Sequence, residues 1–353
     1  MLLVLVIAGV IWGAGLLTGA PVRLRLAGIG LLWLGVVLGH VVLPERHGLR
    51  LATGGSAAPW LLLGGMVAVV MGYRAALGWL KRRVHVPEPV VADGPFREAE
   101  LRRYARHIIL REVGGPGQVK LKQARVLVIG AGGLGSPALM YLAAAGVGTI
   151  GLIDDDSVDA TNLQRQVIHG DADIGRPKVQ SATDRLRGLN PFVEIRPYGR
   201  RLVAEEAEAL FADYDVILDG TDNFDTRYLV NRVAAAQGKP LISGALTQWE
   251  GQVSVFDPAL GDPCYQCVFP EAPAPGLAPS CAEAGVIGPL PGVVGSMMAV
   301  EAVKVITGAG AALRGEMLIY DALWGETRKI RVKPRADCPV CHGRGLAKDT
   351  GRA

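Results

Sequence analysis

Residues 126–135 read Val-Leu-Val-Ile-Gly-Ala-Gly-Gly-Leu-Gly, four aliphatic residues followed at once by a glycine-rich loop. A continuous apolar run of this kind is typical of a parallel strand that is buried on both faces. Glycines serve where the chain turns sharply and where the backbone approaches a phosphate with no Cβ in the way, and the free N–H groups at a helix start attract anions. The stretch therefore predicts a strand, a phosphate-binding loop and a helix over Pro137–Ala145.

A second strand-like stretch, Thr149–Ile153, ends in Asp154, nineteen residues after Gly135. A dinucleotide-binding fold places the carboxylate that holds a ribose hydroxyl at about this distance. NAD and ATP both carry a ribose and phosphates. The sequence as far as Asp154 therefore predicts a nucleotide site that fits either nucleotide.

Helical and strand-like stretches continue to alternate after Asp154, which is typical of a doubly wound, Rossmann-like α/β sheet. The predicted helices are Pro177–Leu189, Ala204–Ala212 and Thr226–Gln237, and the predicted strands are Val193–Arg196, Val216–Asp219 and Leu241–Ser243. A later apolar stretch, Pro291–Gly308, is expected to form a helix that packs on the sheet. Ligands of such sheets bind outside the carboxyl ends of the strands, where Gly130, Asp154 and Asp219–Asn223 would lie.

The first 83 residues differ from the rest, because the apolar content is concentrated there. Three stretches approach the roughly 20 residues that a bilayer-crossing helix needs: Met1–Ala20, Leu26–Leu43 and Trp60–Leu80. Arg23 and Arg25 lie between the first two stretches, and Lys81–Arg83 follow the third, and basic residues favour the cytoplasmic side. We therefore expect about three transmembrane helices in the inner (cytoplasmic) membrane, with the C-terminal domain in the cytoplasm.

Three segments follow the predicted membrane region, residues 1–83. Residues 84–97 contain several prolines and are predicted to form a linker, residues 98–341 fit one large domain, and residues 342–353 are expected to be a disordered tail. The net charge of +4 is too small to indicate a nucleic-acid partner. The function is therefore expected to lie in residues 98–341.

Polar and basic residues that follow Asp154 favour ATP over NAD. Asn162, Arg165 and Lys178 lie within twenty-five residues of it. A site that forms an adenylate needs cations to neutralise the phosphates while pyrophosphate leaves, whereas hydride transfer has no such need. Asp222 is a candidate magnesium ligand. For any one of these charges taken alone, an ordinary solvated side chain is the alternative interpretation.

Four of the five cysteines form two CxxC pairs, Cys264 with Cys267 and Cys338 with Cys341. Four thiolates can close a tetrahedral zinc site with no open coordination position, which would make the zinc structural. Stable disulfides are disfavoured in the cytoplasm. Seventy residues separate the two pairs, so from spacing alone a redox pair and unrelated cysteines remain alternatives.

The fifth cysteine, Cys281, follows a proline- and alanine-rich stretch, Pro270–Ser280, which we expect to form a mobile loop over the active site. A thiol in such a loop could take over an activated acyl group or join a persulfide exchange. The alternative is a small, half-buried residue without chemistry.

The motifs follow one another in a specific order: Gly130–Gly135 (GAGGLG), Asp154–Asp156 (DDD), Asn162–Gln166 (NLQRQ), Gly175–Lys178 (GRPK) and Asp219–Asn223 (DGTDN). Over roughly Leu101–Cys341 the chain closely resembles the MoeB/ThiF/HesA group, bacterial relatives of ubiquitin-activating enzymes. The resemblance implies a nucleotidyltransferase that adenylates the C-terminal glycine of a small ubiquitin-like sulfur carrier. Pyrophosphate is released, and a sulfur donor can then attack the acyl-adenylate.

The resemblance also implies residue roles. ATP would be bound by Gly130, Gly132, Gly133, Gly135, Asp154, Asp156, Asn162, Arg165, Gln166, Lys178, Asp222 and Asn223. Asp222 would hold magnesium, and Cys264, Cys267, Cys338 and Cys341 would hold structural zinc. In some members the cysteine that matches Cys281 links covalently to the carrier. Arg106, in the segment Arg103-Tyr-Ala-Arg106, would reach the ATP site of a second subunit, so a homodimer is expected; His107 stands where the family usually has glutamine.

Two carriers that end in Gly-Gly fit these motifs, the molybdopterin synthase small subunit and the thiamine sulfur carrier. The block Cys264–Gly285 resembles the molybdopterin synthase adenylyltransferases, so molybdenum cofactor biosynthesis is favoured. The chain ends twelve residues after Cys341, so we expect the sulfur donor to be a separate protein. The membrane region is a departure from the family.

Two interpretations from other functional classes remain open. An NAD-dependent membrane oxidoreductase would explain the glycine loop and Asp154, but it leaves Arg165, Lys178 and both CxxC pairs unexplained. A catalytically inactive scaffold would keep the ATP site only as part of its fold.

Overall fold

The computed structural model describes residues 2–83, 94–274 and 284–342. The chain divides into two units, Met1–Val90 and Val91–Ala353. The first unit is entirely helical over its described residues: α1 (Leu2–Leu17), α2 (Val22–Val42), α3 (Gly48–Ala52) and α4 (Ala58–Arg83). The predicted tail beyond His342 and the predicted linker residues 84–93 lie outside the described residues.

Two helices of the first unit have the length and composition of membrane spans, Val22–Val42 and Ala58–Leu77. The helix α1 is apolar but has 16 residues, about 24 Å of helix, which is shorter than the hydrocarbon core. Arg23 and Arg25, which were predicted to lie between two spans, are instead in the first turn of α2. Three spans therefore remain a prediction, with α1 the weakest of them.

The surface of this unit is unusual because large apolar side chains point outward along its helices. Leu62 is 76% exposed, Met71 66% and Val69 73%. Both indole N–H groups between α2 and α4 are hydrogen-bonded within the unit: that of Trp33 donates to the Trp60 carbonyl at 2.8 Å, and that of Trp60 donates to the Thr53 carbonyl at 2.9 Å. Such a surface fits an apolar surrounding medium, in which polar groups must be satisfied internally.

The second unit is built on one eight-stranded sheet with the order β3-β2-β1-β4-β5-β6-β7-β8. Its strands are β1 (Arg125–Ile129), β2 (Thr149–Ile153), β3 (Glu194–Tyr198), β4 (Val216–Asp219), β5 (Leu241–Leu246), β6 (Glu250–Phe256), β7 (Glu316–Asp321) and β8 (Glu326–Arg331). The strands β3, β2, β1, β4 and β5 are parallel to one another, as predicted. The strands β6, β7 and β8 extend the sheet with antiparallel pairs, which were not predicted.

Helices cover both faces of the sheet. They are α5 (Glu98–Ile108), α6 (Gly114–Gln123), α7 (Gly135–Ala145), α8 (Lys178–Leu189), α9 (Ala204–Ala212), α10 (Phe224–Ala236), α11 (Tyr265–Val268) and α12 (Pro289–Thr307). Alternate residues of β1 face two cores: Val126 and Val128 pack with α7, α8 and α12, while Leu127 and Ile129 pack with α9 and α10. The strand is therefore buried on both faces, as its apolar run predicted.

The apolar helix α12 packs on the sheet, which confirms the prediction for Pro291–Gly308. It also has the length and apolarity of a membrane span, but 50% of it is buried within its own unit. At the other end of the unit, Phe96 is buried and makes an edge-on contact with Tyr104 at 6.2 Å between ring centroids. The packed unit therefore includes the last residues that were predicted to belong to the linker.

Candidate nucleotide and metal sites

A cavity of about 860 Å³ opens at the carboxyl ends of β1, β2 and β4. Strand β1 lies between β2 and β4, so the connections on its two sides leave in opposite directions and open a crevice there. Ten predicted nucleotide ligands line the cavity: Gly130, Gly132, Gly133, Asp154, Asp156, Arg165, Gln166, Lys178, Asp222 and Asn223. Gly135 and Asn162, which were also predicted to bind ATP, are not in the lining.

Gly135 has a packing role beneath the loop. A Cβ at this position would lie 1.9 Å from the carbonyl oxygen of Gly130, which no real side chain could tolerate. Gly130 itself adopts a φ of +94°, a conformation that favours glycine. These two glycines therefore close the sharp turn between β1 and α7, while Gly132 and Gly133 face the cavity.

Asp154 stabilises the same loop from the end of β2. Its carboxylate accepts the Ala131 N–H at 2.7 Å and the Asp156 N–H at 2.9 Å. Burial raises the pKa of Asp154 above its ordinary value, and these two hydrogen bonds and nearby Lys178 offset only part of the effect. The carboxylate still borders the cavity, so a nucleotide hydroxyl can use the remaining lone pairs.

Two cations, Lys178 and Arg165, reach the cavity from different segments. Lys178, the first residue of α8, has a side chain that is only 5% exposed and pairs with Asp156 at 2.7 Å. Arg165 donates to the amide oxygen of Asn162 at 2.9 Å, and it pairs with no carboxylate among the described residues. Asn162 therefore orients Arg165, and the guanidinium keeps its charge available to an anion.

The loop after β4 is fixed by Asp219, a residue to which the sequence analysis assigned no role. The Asp219 carboxylate accepts the Thr221 N–H at 3.0 Å and the Thr221 hydroxyl at 2.7 Å. Its other oxygen lies 3.6 Å from the guanidinium of Arg227, and both side chains are almost fully buried. Arg227 in turn donates to the Ser243 hydroxyl at 3.0 Å and to the carbonyls of Thr221 and Gly244. The pair therefore anchors this loop on the neighbouring strand β5.

Beyond that anchor the loop exposes Asp222 to the cavity, and Asp222 has neither an ion pair nor a hydrogen bond within the described parts of the chain. Asn223 uses its amide oxygen to accept the Thr226 N–H at 2.8 Å and so caps α10. Asn223 therefore uses part of its hydrogen-bonding capacity within the protein, whereas the whole Asp222 carboxylate is available to a ligand.

The cavity has further walls that sequence reasoning missed. Arg200 and Arg201 follow the carboxyl end of β3. The turn after β5 and the first residues of β6 add Thr247, Gln248, Glu250, Gly251 and Gln252. The two arginines could have been predicted from the sequence as site residues, because basic residues that follow a predicted strand lie at the ligand-binding edge of the sheet. The aromatic residues Tyr265 and Phe269 could not have been predicted to line the cavity, because their position depends on the path of the chain after β6.

Arg106 lies on α5, is exposed, and does not line this cavity. A single chain therefore does not bring Arg106 to its own predicted ATP site. Cys281 and most of Pro270–Ser280 fall outside the described residues, although Glu271 and Pro273 still border the cavity.

The four paired cysteines meet in one buried cluster. The Sγ–Sγ distances are 3.8 Å for Cys264–Cys267, 3.5 Å for Cys264–Cys338 and 3.3 Å for Cys267–Cys341. Tetrahedral zinc with Zn–S bonds of about 2.3 Å separates its sulfurs by about 3.8 Å, so the cluster fits a metal after a slight expansion. Hydrogen bonds from the Cys264 thiol and the Arg335 N–H to its sulfur lower the pKa of Cys267.

Comparison with known proteins identifies a family, similar sequences and similar structures. The ThiF family matches residues 104–340, more than half of the chain. A sulfur carrier protein adenylyltransferase from Thermus thermophilus is 52% identical over 250 residues, covering 70% of this chain and 92% of that protein. A probable adenylyltransferase/sulfurtransferase, MoeZ, from Mycobacterium tuberculosis is 53% identical over 257 residues, covering 72% of this chain but only 66% of that protein.

Among solved structures, E. coli MccB with ATP is similar with a TM-score of 0.56 and 21% sequence identity, covering 64% of this chain and 69% of that one. At this identity the similarity concerns the fold alone. It agrees with a Rossmann-like sheet in the second unit.

Proposed function

Because the chain belongs to the ThiF family, we propose that it is a nucleotidyltransferase that uses ATP to adenylate the C-terminal glycine of a ubiquitin-like sulfur carrier. The observation that carries this proposal is the cavity itself. Within one crevice it combines a glycine loop, an available arginine, a buried lysine and a carboxylate without a partner. A hydride-transfer site has no need of this set.

The chemistry is an in-line substitution at the α-phosphorus of ATP. A carboxylate oxygen of the carrier's terminal glycine forms the new P–O bond, and the bond to the pyrophosphate oxygen breaks. Arg165 and Lys178 neutralise the negative charge that collects on the departing pyrophosphate, in a cavity where such contacts are stronger than in water. A hydrogen bond to Asn162 orients the Arg165 side chain, and an ion pair with Asp156 orients the Lys178 side chain.

Magnesium would be held by Asp222, whose free carboxylate at the cavity wall offers the oxygen ligand that this ion prefers. The ion would neutralise phosphate charge. Zinc would be held by Cys264, Cys267, Cys338 and Cys341, all of them buried. Since four thiolates leave no open coordination position, this zinc would be structural and would join the segment near Tyr265 to the C-terminal end of the unit.

The carrier that we propose is the molybdopterin synthase small subunit, with the thiamine carrier as the alternative. The Thermus and Mycobacterium relatives act, by their names, in adenylyl transfer to carriers or in sulfur transfer. Mass spectrometry of each carrier after incubation with ATP and the protein tests the choice. We expect one carrier to gain the mass of an AMP moiety; an unmodified mass for both would contradict the proposed substrate class.

Arg106 is proposed to complete the ATP site of a second copy, because it is exposed and does not reach the cavity of its own chain. Mixing two inactive variants tests this. In a mixed dimer of Arg106→Ala and Asp222→Ala chains, one of the two sites has both residues, so random mixing restores about a quarter of the parent's activity. Activity no higher than that of the separate variants would contradict a role in trans.

We further propose that the first unit anchors the enzyme in the cytoplasmic membrane, with the second unit in the cytoplasm where ATP is found. Support comes from the apolar helices Val22–Val42 and Ala58–Leu77 and from Lys81–Arg83 at the end of α4. Protease protection in sealed inside-out vesicles checks the orientation. Cleavage of the second unit only after detergent treatment would contradict it.

A further inference from the structure

His169 lies directly behind the glycine loop and does not line the nucleotide cavity. The side chain is buried, with 8% exposure. Its Nε2 atom lies 3.1 Å from the carbonyl oxygen of Ala131, and its Nδ1 atom lies 2.8 Å from the hydroxyl of Ser181. The imidazole therefore bridges the glycine loop and the first turns of α8.

The hydrogen-bond partners determine which nitrogen carries the proton. A carbonyl oxygen can only accept, so Nε2–H must donate to Ala131. In the neutral ring Nδ1 then accepts, and the Ser181 hydroxyl donates to it. Ser136 approaches the same Ala131 oxygen at 3.5 Å, so His169 provides the shorter contact.

The bridge joins groups that the proposed reaction uses. Ala131, whose carbonyl binds His169, donates its own N–H to Asp154 at 2.7 Å. Ser181 lies one turn after Lys178 in α8. The imidazole thus fixes the loop that faces the phosphates relative to the lysine that would neutralise them.

We infer that His169 is a positioning residue for ATP, acting through Ala131 and not by contact with the nucleotide. The inference rests on the proposed function. A histidine that merely fills the core would need no particular donor, whereas this role requires the Nε2–H group at the Ala131 carbonyl.

Two near-isosteric variants separate these roles. In His169→Gln the amide nitrogen stands as many bonds from Cα as Nε2 does, so the donor to Ala131 is kept and the contact with Ser181 is lost. In His169→Asn the amide reaches only as far as Nδ1, so the Ser181 contact can be kept and the donor to Ala131 is lost. Both variants remove the ring, which makes them controls for each other.

The experiment uses the full chain in detergent and measures kcat and the KM for ATP in carrier-dependent pyrophosphate exchange, together with calorimetric affinity for a non-hydrolysable ATP analogue. We expect His169→Asn to raise the KM and weaken the affinity by about 10-fold, the scale of one lost hydrogen bond, with kcat little changed. His169→Gln should stay within about 2-fold of the parent.

A purely structural role predicts a different pattern, namely fewer active molecules, and therefore a lower kcat with an unchanged KM. That pattern, or equal effects of the two variants on affinity, would overturn the inference. If His169→Asn does not fold, His169→Met replaces it, since Met has the length of Gln but no donor; the expected rise in KM is again about 10-fold relative to His169→Gln, and equal KM values for Met and Gln would overturn the inference. If no carrier gives exchange, the proposed function is contradicted. The inference about His169 is still supported in that case if His169→Asn binds the ATP analogue more weakly than His169→Gln and the parent do.

Discussion

Two loops at the carboxyl edge of the sheet use their aspartates in the same way. After β2, Asp154 turns inward to hold backbone N–H groups, and Asp156 faces the cavity and binds Lys178. After β4, Asp219 turns inward to hold Thr221 and Arg227, and Asp222 faces the cavity without a partner. In each loop the first aspartate holds the loop itself and a later one faces the cavity, so substitutions of the same residue type should have different effects.

The largest expected effect is on stability. Asp219→Ala should lower the free energy of unfolding by about 3–5 kcal/mol, because it leaves the buried guanidinium of Arg227 without its carboxylate. Asp222→Ala is the matched control and should change it by less than about 0.5 kcal/mol, since the side chain is exposed. Urea unfolding monitored by circular dichroism measures both free energies. An equal decrease for the two variants would contradict the different roles of Asp219 and Asp222.

The next effect concerns activity. Asp222→Ala and Lys178→Ala should each lower adenylation by at least about 100-fold, as is usual when a contact to developing charge in the transition state is lost. Carrier-dependent pyrophosphate exchange is the assay, and unchanged thermal unfolding of Asp222→Ala is the control for folding. A loss of tenfold or less would remove the proposed role from the residue concerned.

A smaller effect is expected at Asn162, which orients Arg165 and does not line the cavity. Asn162→Ala should reduce adenylation by about 10-fold, the scale of one hydrogen bond to a charged group. Arg165→Ala should lose more than Asn162→Ala, because it removes the charge itself. Finding the reverse order would mean that Asn162 contacts ATP directly.

The smallest effect is a dependence of stability on pH. Burial lowers the pKa of His169 below its ordinary value, with Lys178 adding to the shift, while the hydrogen bond to Ala131 and the charges of Asp154 and Asp173 oppose it. The unfolded chain then binds more protons below about pH 6.5, so stability falls as pH drops through that value toward the folded-state pKa. In His169→Gln, urea midpoints should fall less over this range; an identical pH profile would contradict a neutral buried imidazole.

The sequence predicted much of this arrangement because its signals are local. Strand Thr149–Ile153 and helix Ala204–Ala212 have the predicted bounds, and the glycine loop and both CxxC pairs are where their motifs indicated. The antiparallel strand β8 was missed because all six of its residues are exposed and four are charged, which leaves no apolar periodicity to detect.

Site residues were missed for another reason. Asp219 meets Arg227, and His169 meets Ala131, across turns that only the folded chain creates, so no spacing in the sequence predicts either contact. Asn162 and Gly135 were assigned to ATP because they stand inside the right motifs. The structure shows in addition that Asn162 orients Arg165 and that Gly135 packs beneath the loop, and their contacts with ATP stay predictions.

Exchange of labelled pyrophosphate into ATP, measured with the full chain and each Gly-Gly carrier in turn, tests adenylation most directly, because only a reversible adenylate-forming step returns the label to ATP. We expect exchange that depends on one of the carriers and falls by at least about 100-fold in Asp222→Ala. A loss of tenfold or less in Asp222→Ala, or no exchange with either carrier from a folded, zinc-loaded protein, would contradict adenylation by this site.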